Sequence, residues 1–138
     1  LRVLRRGVSI GLPESHLGGL AGNGAVRVTR LVGPARAKQM LFIGAQVDAE
    51  RALEWGLVNF VADTSALEMA RKLAQTISAR GPLSNRLAKE LVEQSLDESL
   101  DAGLLRSTVA QQKIFDSDDL QEGAAAFFQK RAPVFSGS

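Results

Sequence analysis

The sequence predicts an α/β protein with its strands in the first half and its helices mostly in the second. Two short β-favouring runs open the chain, at positions 1–4 and 8–10, and LVNFVAD at 57–63 is typical of a buried strand. From residue 65 onward, apolar side chains recur every three or four positions, which is the period of an amphipathic helix. We therefore expect an α/β core over residues 1–81 and a helical oligomerisation region over residues 82–138.

Helix boundaries in the first half are marked by proline, glycine and a capping residue. Pro34 at a first-turn position and Gly44 as a stop predict a helix of about ten residues. The next stretch, VDAERALEWG, repeats the scheme with Asp48 as N-cap and Gly56 as the stop. Two short helices are therefore expected between the second and third strands.

The second half carries stronger helical signals. Ser65 and Glu68 form a capping-box pair at the start of one helix, and Ser117 or Asp118 caps the last one. Gly103 lies inside a helical pattern, where glycine costs about 1 kcal/mol relative to alanine unless a partner packs closely against it. The expected apolar stripes consist of Leu83, Leu87, Leu91, Leu100, Leu104 and Val109.

The composition of the chain excludes several classes of function. With 17 basic and 15 acidic residues the net charge is +2, too nearly balanced to indicate nucleic acid. The absence of cysteine and the single histidine exclude disulfides, thiolate ligands and a histidine-based metal site. No apolar run approaches the roughly 20 residues that span a bilayer, and no signal-peptide pattern is present, so we expect a cytoplasmic protein. Because the sequence starts on a strand with Leu1, we expect an upstream portion.

The stretch GLPESHLGGLAGNG at positions 11–24 raises the functional question, since it combines five glycines with one carboxylate, Glu14. A Walker loop would need lysine where Ala25 stands, and a dinucleotide fingerprint would need glycine or alanine at Arg27. Two interpretations remain. In the first, Glu14 transfers a proton to or from a substrate, next to the N-terminal amides of a helix that begins after Gly22. In the second, Glu14 is a solvated residue of a simple turn.

Three segments in order carry a family resemblance. GLPESHLGGLAGNGAVRVTRLVG is similar to the segment that the enoyl-CoA hydratase/isomerase (crotonase) superfamily writes as G-L-P-E, L-G, P-G-x-G-G and R-L-x-R-x-x-G. ARAKQMLFIGAQVDAERALEWGLVNFV resembles its A-x-E-A-x-x-x-G-L-V unit, and DSDDLQEGAAAFFQKRAPVFSG resembles its C-terminal D-x-x-E-G-x-x-A-F-x-E-K-R-x-P-x-F. The resemblance spans the chain and implies the distal half of a crotonase-like ββα spiral core followed by a C-terminal helical region.

The resemblance also implies a chemistry. Glu14 matches the family glutamate that, with a second upstream glutamate, adds water to an enoyl-CoA thioester in hydratases or shuttles a proton in isomerases. Leu17, Gly22, Phe127 and Lys130 fall at positions implied to contact the substrate or its coenzyme A moiety. The implied protein is a lyase or isomerase of fatty acid metabolism that uses no metal and no cofactor besides the coenzyme A of its substrate. Hydration, isomerisation, hydrolysis and decarboxylation all stay open, as does the acyl-chain length.

An alternative is a noncatalytic assembly or binding fragment. The family's oxyanion hole and second glutamate belong to its first half, which these 138 residues do not include. Locally, Ala21 replaces the usual proline, the paired glycine after Gly24 is missing and the loop is one residue short. In either case the resemblance implies a homo-oligomer, a trimer or hexamer built through the C-terminal helices.

Other residues have plainer interpretations. His16 lies two positions from Glu14, yet a loop histidine is more often structural or solvated than catalytic. Trp55 is expected in the core. Arg2, Arg5 and Arg6 are compatible with a basic face for RNA, but three arginines at an edge are more often a solvated surface.

Overall fold

The computed structural model describes all 138 residues, of which 62% are helical, and it separates into two compact units, Leu1–Leu73 and Ala74–Ser138. The first unit contains β1 (Val3–Arg5), β2 (Ser9–Ile10), a 3₁₀ helix (Pro13–Leu17), α1 (Gly22–Phe42), β3 (Val47–Asp48), α2 (Ala49–Glu54) and β4 (Phe60–Ala62). Helix α3 (Ala66–Ser78) crosses the boundary, and α4 (Pro82–Gln94), α5 (Leu100–Phe115) and α6 (Asp118–Phe128) follow. The α/β class expected from the sequence is confirmed.

The strands form two separate pairs. β1 lies parallel to β4 with Val3 opposite Phe60, and β2 lies antiparallel to β3 with Ile10 opposite Val47. Strands β1, β2 and β4 are shorter than the runs that predicted them, and β3 was not predicted. A strand of two residues has no room for the alternation of apolar and polar side chains by which strands are recognised.

Two of the N-terminal arginines hold β1 in place. Arg2 donates from Nε to the carbonyl of Leu57 at 2.6 Å, and its backbone NH donates to Asn59 Oδ1 at 2.8 Å. Arg6 pairs with Glu50 and with Asp63, and these carboxylates raise the pKa of its guanidinium. Arg2 and Arg6 therefore make contacts within the chain, which argues against a face for RNA.

The core of the first unit gathers residues from α1, β3, α2 and the α2–β4 turn. Its buried members are Val32, Ala37, Met40, Val47, Ala52, Leu57 and Val58. Trp55 packs against this core while partly buried, as expected, and the guanidinium of Arg36 lies 5.3 Å from its ring centroid, within cation–π distance. The core fixes the position of α1, which borders the candidate site.

Capping follows the sequence signals closely. Asp48 accepts a hydrogen bond from the NH of Arg51 at 2.7 Å, and Ser65 accepts one from the NH of Glu68 at 3.2 Å. After α2, the NH of Gly56 donates to Leu53 at 3.0 Å and the NH of Leu57 to Ala52 at 2.8 Å, which is the Schellman arrangement. The predicted start and end of α2 and the predicted start of α3 are therefore confirmed.

Helix α1 is broken once, at Gly33, whose φ of 80° and ψ of 165° lie in a region that only glycine occupies readily. Pro34 then starts the second segment, as its first-turn position predicted. The first segment begins at Gly22. The sequence predicted a helix there only under the interpretation in which Glu14 transfers a proton. The break lets the chain reverse direction between two helical segments of one element.

Replacing Gly33 with alanine should therefore destabilise the protein. The Cβ of alanine would meet no atom within 4 Å, so the loss of about 1–3 kcal/mol would come from backbone strain alone. Gly103→Ala is the matched control. Gly103 is helical, and an added Cβ would meet only Glu98, at 3.6 Å, so a gain of about 0.5–1 kcal/mol is expected. Urea denaturation measures both, and a Gly33→Ala variant as stable as the native chain would contradict this account.

The second unit consists of helices with few buried side chains. Ser99 caps α5 by accepting from the NH of Ala102, and Ser117 caps α6 by accepting from the NH of Leu120. Leu83, Leu87 and Leu91 on α4 are partly buried. The expected stripe on α5 is instead exposed, with Leu100 at 77% and Leu104 at 56% of their full accessibility. None of the helices has the length and apolar character needed to cross a membrane.

The C-terminal residues return along α6. The carboxylate of Asp119, a residue that is 5% exposed, accepts from the backbone NH of Ser136 at 2.7 Å and of Gly137 at 3.1 Å. The NH of Asp119 in turn donates to the carbonyl of Ser138 at 3.1 Å. The Phe135 ring lies 3.6 Å from the position that a Cβ on Gly123 would take. The residues D-x-x-E-G of the last motif thus anchor the chain end.

Candidate active site

Glu14 lies in the 3₁₀ helix, and its backbone is fixed on both sides. Pro13 starts this helix, and the NH of Gly18 closes it by donating to the carbonyl of Ser15 at 3.1 Å. The NH of Gly19 donates to the carbonyl of Glu14 itself at 2.9 Å. The glycines that follow the carboxylate therefore fold back on it, and Glu14 has one defined backbone position.

A pocket of about 260 Å³ opens beside Glu14 within the first unit. Its polar residues are Glu14 and Ser15, and Gly19 also lines it. The remaining wall is apolar and consists of Leu12, Leu20, Ala21, Ala25, Leu41 and Phe42. An apolar pocket with a few convergent polar groups is the usual form of a small-molecule site.

The Glu14 side chain is partly buried, and its Oε2 atom is buried without any hydrogen-bond partner. A buried carboxylate oxygen that lacks a partner costs free energy, so such groups are rare in folded proteins and call for an explanation. Glu14 is among the residues that line the pocket, and this oxygen is the one buried polar side-chain atom of the chain without a hydrogen-bond partner.

The N-terminus of α1 borders the same pocket through Ala21 and Ala25. No side chain caps this end, because the N-cap position is Ala21. The first amides of α1, beginning at Gly22, therefore have no side-chain acceptor, and the helix dipole places partial positive charge there. The arrangement places a residue with a carboxylate, Glu14, and a helix N-terminus that favours an anion at the same pocket.

The break at Gly33 is what closes the pocket. Ala25 and Leu41 are 16 positions apart, which in an unbroken helix at about 1.5 Å per residue would separate them by about 24 Å. Because the chain reverses at Gly33, both residues line one pocket, together with Phe42. Gly33 thus shapes a site that it does not touch.

His16 has a structural role. Its Nε2 lies 3.2 Å from the carbonyl oxygen of Ile43, so the tautomer protonated at Nε2 donates a hydrogen bond there. A Cβ on Gly44 would overlap the imidazole, and Gly44 has a φ of 65°. Glycine at this position therefore serves both the close approach and the backbone conformation. His16 does not line the pocket.

The other predicted site residues lie in two places. Leu17 ends the 3₁₀ helix with 93% of its side chain exposed, and Gly22 begins α1. Phe127 is 80% exposed near the end of α6, where it makes an edge-to-face contact with Phe128, and Lys130 follows two residues after that helix. Glu14 and the start of α1 are brought together in the first unit, whereas Phe127 and Lys130 belong to the second.

Sequence reasoning missed most of the pocket wall. Leu20, Leu41 and Phe42 line the pocket, yet an apolar residue near a helix end carries no signal that distinguishes a ligand contact from core packing. Ser15 was missed as well, although its position next to Glu14 could have indicated it. No three His, Asp or Glu side chains converge to form a metal site.

Comparisons with known proteins agree on one family. A family model described as Enoyl-CoA hydratase/isomerase matches residues 1–138. The chain is 36% identical over 140 residues to (E)-benzylidenesuccinyl-CoA hydratase of Thauera aromatica, covering 100% of the chain and 55% of that protein. It is 37% identical over 141 residues to carnitinyl-CoA dehydratase of Salmonella typhi, covering 98% of the chain and 54% of that protein.

A solved structure extends this similarity to the fold. The crystal structure of enoyl-CoA hydratase from Bacillus anthracis superposes with a TM-score of 0.94 at 34% identity, covering 100% of the chain and 54% of that structure. The chain therefore spans about half the length of the relatives it matches. The expected crotonase-like fold, corresponding to their C-terminal half, is confirmed.

Proposed function

Because this chain belongs to the enoyl-CoA hydratase/isomerase family, we propose that it acts on acyl-CoA thioesters with Glu14 as general acid and base. One observation carries the proposal: the buried, unpartnered Oε2 of Glu14 beside an apolar pocket and an uncapped helix N-terminus. The pocket suits the apolar part of an acyl group, and a carboxylate beside it is suited to proton transfer.

The proposed chemistry is that of an enolate-like intermediate. In hydration, a carboxylate takes a proton from water as the water oxygen bonds to the β-carbon of the enoyl thioester. The electron pair of the broken carbon–carbon π bond then carries negative charge onto the thioester oxygen. A proton then reaches the α-carbon and restores the thioester. Glu14 is proposed to carry a proton in this sequence, and in an isomerisation the same carboxylate would shuttle one between carbons. The partial positive charge at the start of α1 favours the negatively charged, enolate-like intermediate.

The remaining contacts are proposed from family membership. Leu17 and Gly22 are assigned to the substrate, and Phe127 and Lys130 to its coenzyme A moiety, with the ammonium of Lys130 facing a phosphate. A second carboxylate and the oxyanion donors would come from residues beyond these 138. A place in cytoplasmic fatty acid metabolism is part of the same proposal, with no metal and no cofactor besides the coenzyme A of the substrate.

Calorimetry tests the choice of substrate class. The chain should release heat when titrated with crotonyl-CoA but not with crotonate at the same concentration, because only the thioester brings the coenzyme A moiety. A Glu54→Gln variant, which alters an exposed carboxylate on α2, should bind as the native chain does. Equal binding of crotonate and crotonyl-CoA would contradict the proposal.

We also propose that the chain forms a homo-oligomer, a trimer or a multiple of one. The exposed apolar side chains of α5 favour this assembly, since Leu100, Leu104 and Leu105 are each more than half exposed to solvent. A specific interface should bury more than about 1,200 Å². Sedimentation across a hundredfold concentration range is expected to show the oligomer, and a monomer throughout would contradict it.

A noncatalytic assembly fragment is the second candidate function, favoured by the same exposed side chains.

A further inference from the structure

Lys130 has a backbone conformation that sets it apart. It is the only non-glycine residue with a positive φ, at 54°, and it occupies the position after the C-cap of α6 where glycine is usual. Its NH donates to the carbonyl of Phe127 at 3.2 Å, and the NH of Arg131 donates to that of Ala126 at 3.0 Å. A lysine therefore occupies the left-handed position of a Schellman turn, where its Cβ makes the conformation costly.

The neighbours of Lys130 are held by a network of side chains. Arg131 donates to both carboxylate oxygens of Glu122, at 2.6 and 2.7 Å, and from Nε to Gln129 Oε1 at 2.7 Å. Glu122 also accepts from the backbone NH of Val134 at 2.7 Å. The hydrogen bonds from Arg131 and then Val134 lower the pKa of Glu122 to about 2, so its carboxylate is ionised at neutral pH.

This network acts locally. Asp119 anchors residues 136–138 by its own hydrogen bonds, so the chain end keeps a separate attachment when Glu122 is altered. The contacts of Glu122 reach the residues on the far side of the turn, Arg131 and Val134, and hold them to α6. They therefore restrain the strained residue between Gln129 and Arg131.

We propose that Glu122 is a positioning residue for Lys130. Its paired hydrogen bonds with Arg131 hold the turn that gives Lys130 a left-handed backbone, so the backbone from which the Lys130 side chain projects is set before an anionic group of the substrate binds. This inference rests on the proposed function, which assigns Lys130 to a phosphate of the coenzyme A moiety. Preorganisation of this kind strengthens binding because less freedom is lost when the ligand arrives.

Two readouts test the proposal on the full 138-residue chain. The first is the NOE between the amide proton and Hα of Lys130, which is strong when φ is positive; Glu122→Gln should weaken it. The second is affinity measured by titration with coenzyme A, which Glu122→Gln should lower by about three- to tenfold, because Lys130 must then be ordered when the phosphate binds. Pantetheine, which lacks the phosphates, should bind the variant and the native chain equally.

Matched variants separate positioning from general stability. Glu93→Gln removes the same charge from α4, where Glu93 pairs only loosely with Lys89 at 3.9 Å, and should change neither readout. In a Lys130→Ala background, Glu122→Gln should cause no further loss of coenzyme A affinity, because the residue being positioned is gone.

Different results would overturn the positioning role of Glu122 and the proposed function on which it rests. An unchanged NOE in Glu122→Gln, or an equal loss of affinity in the presence and absence of Lys130, would overturn the positioning role. A native chain that binds no coenzyme A would overturn the proposed function. In that case the NOE still decides whether Glu122 sets the backbone of Lys130.

Discussion

Glu14→Gln should lower kcat by about 10² to 10⁴ in any form of the protein that turns over an enoyl-CoA thioester. Glutamine keeps the shape of the side chain but cannot donate or accept the proton that the enolate-like intermediate requires. Oε2 of Glu14 makes no hydrogen bond within the chain, so the substitution breaks no side-chain contact at that atom and the fold should survive. Steady-state hydration of crotonyl-CoA measures the effect.

The control for this variant is Glu54→Gln, since Glu54 is an exposed carboxylate at the end of α2, outside the pocket. It should turn over at the native rate, and circular dichroism should show both variants folded. Native turnover by a folded Glu14→Gln protein would remove Glu14 from the mechanism.

The second large effect concerns the 138 residues on their own. They should hydrate crotonyl-CoA at a rate more than tenfold below the roughly 10 s⁻¹ of an ordinary enzyme. The chain spans about half the length of its relatives. The family resemblance implies that the second carboxylate and the oxyanion donors of the proposed mechanism belong to the other half. Losing one oxyanion donor alone typically costs about 10² to 10³ in rate.

A hydration assay at saturating crotonyl-CoA checks this expectation, with heat-denatured protein as the background. Turnover near the ordinary enzyme rate would show that Glu14 and its pocket suffice, and the requirement for a second group would then be wrong. Slow but measurable turnover that disappears in Glu14→Gln would agree with both predictions.

Much of the fold could be predicted because its signals are local. Asp48, Ser65 and Ser117 each accept the capping hydrogen bond that their sequence position indicated. Capping depends on residues within one turn of each other, so the sequence displays it directly. The family resemblance added the arrangement of these elements, which local patterns alone do not contain.

The pocket could be predicted only in part, because its wall is assembled by a distant feature. Glu14 and Gly22 lie within one continuous motif, whereas Leu41 and Phe42 reach the pocket through the reversal at Gly33. The sequence shows Pro34 as a helix start but does not show that the preceding glycine turns the chain. Likewise, Glu122 and Arg131 are nine positions apart, and only the left-handed turn between them makes them partners.

Titration of the ¹⁵N-labelled chain with crotonyl-CoA tests the central claim most directly, since it locates the acyl group without requiring turnover. The amides of residues 12, 14–25, 41 and 42, which surround Glu14, should shift as the thioester is added. Coenzyme A alone should leave most of them unchanged. Saturable binding of crotonyl-CoA that leaves these amides unaffected would contradict an acyl site at Glu14.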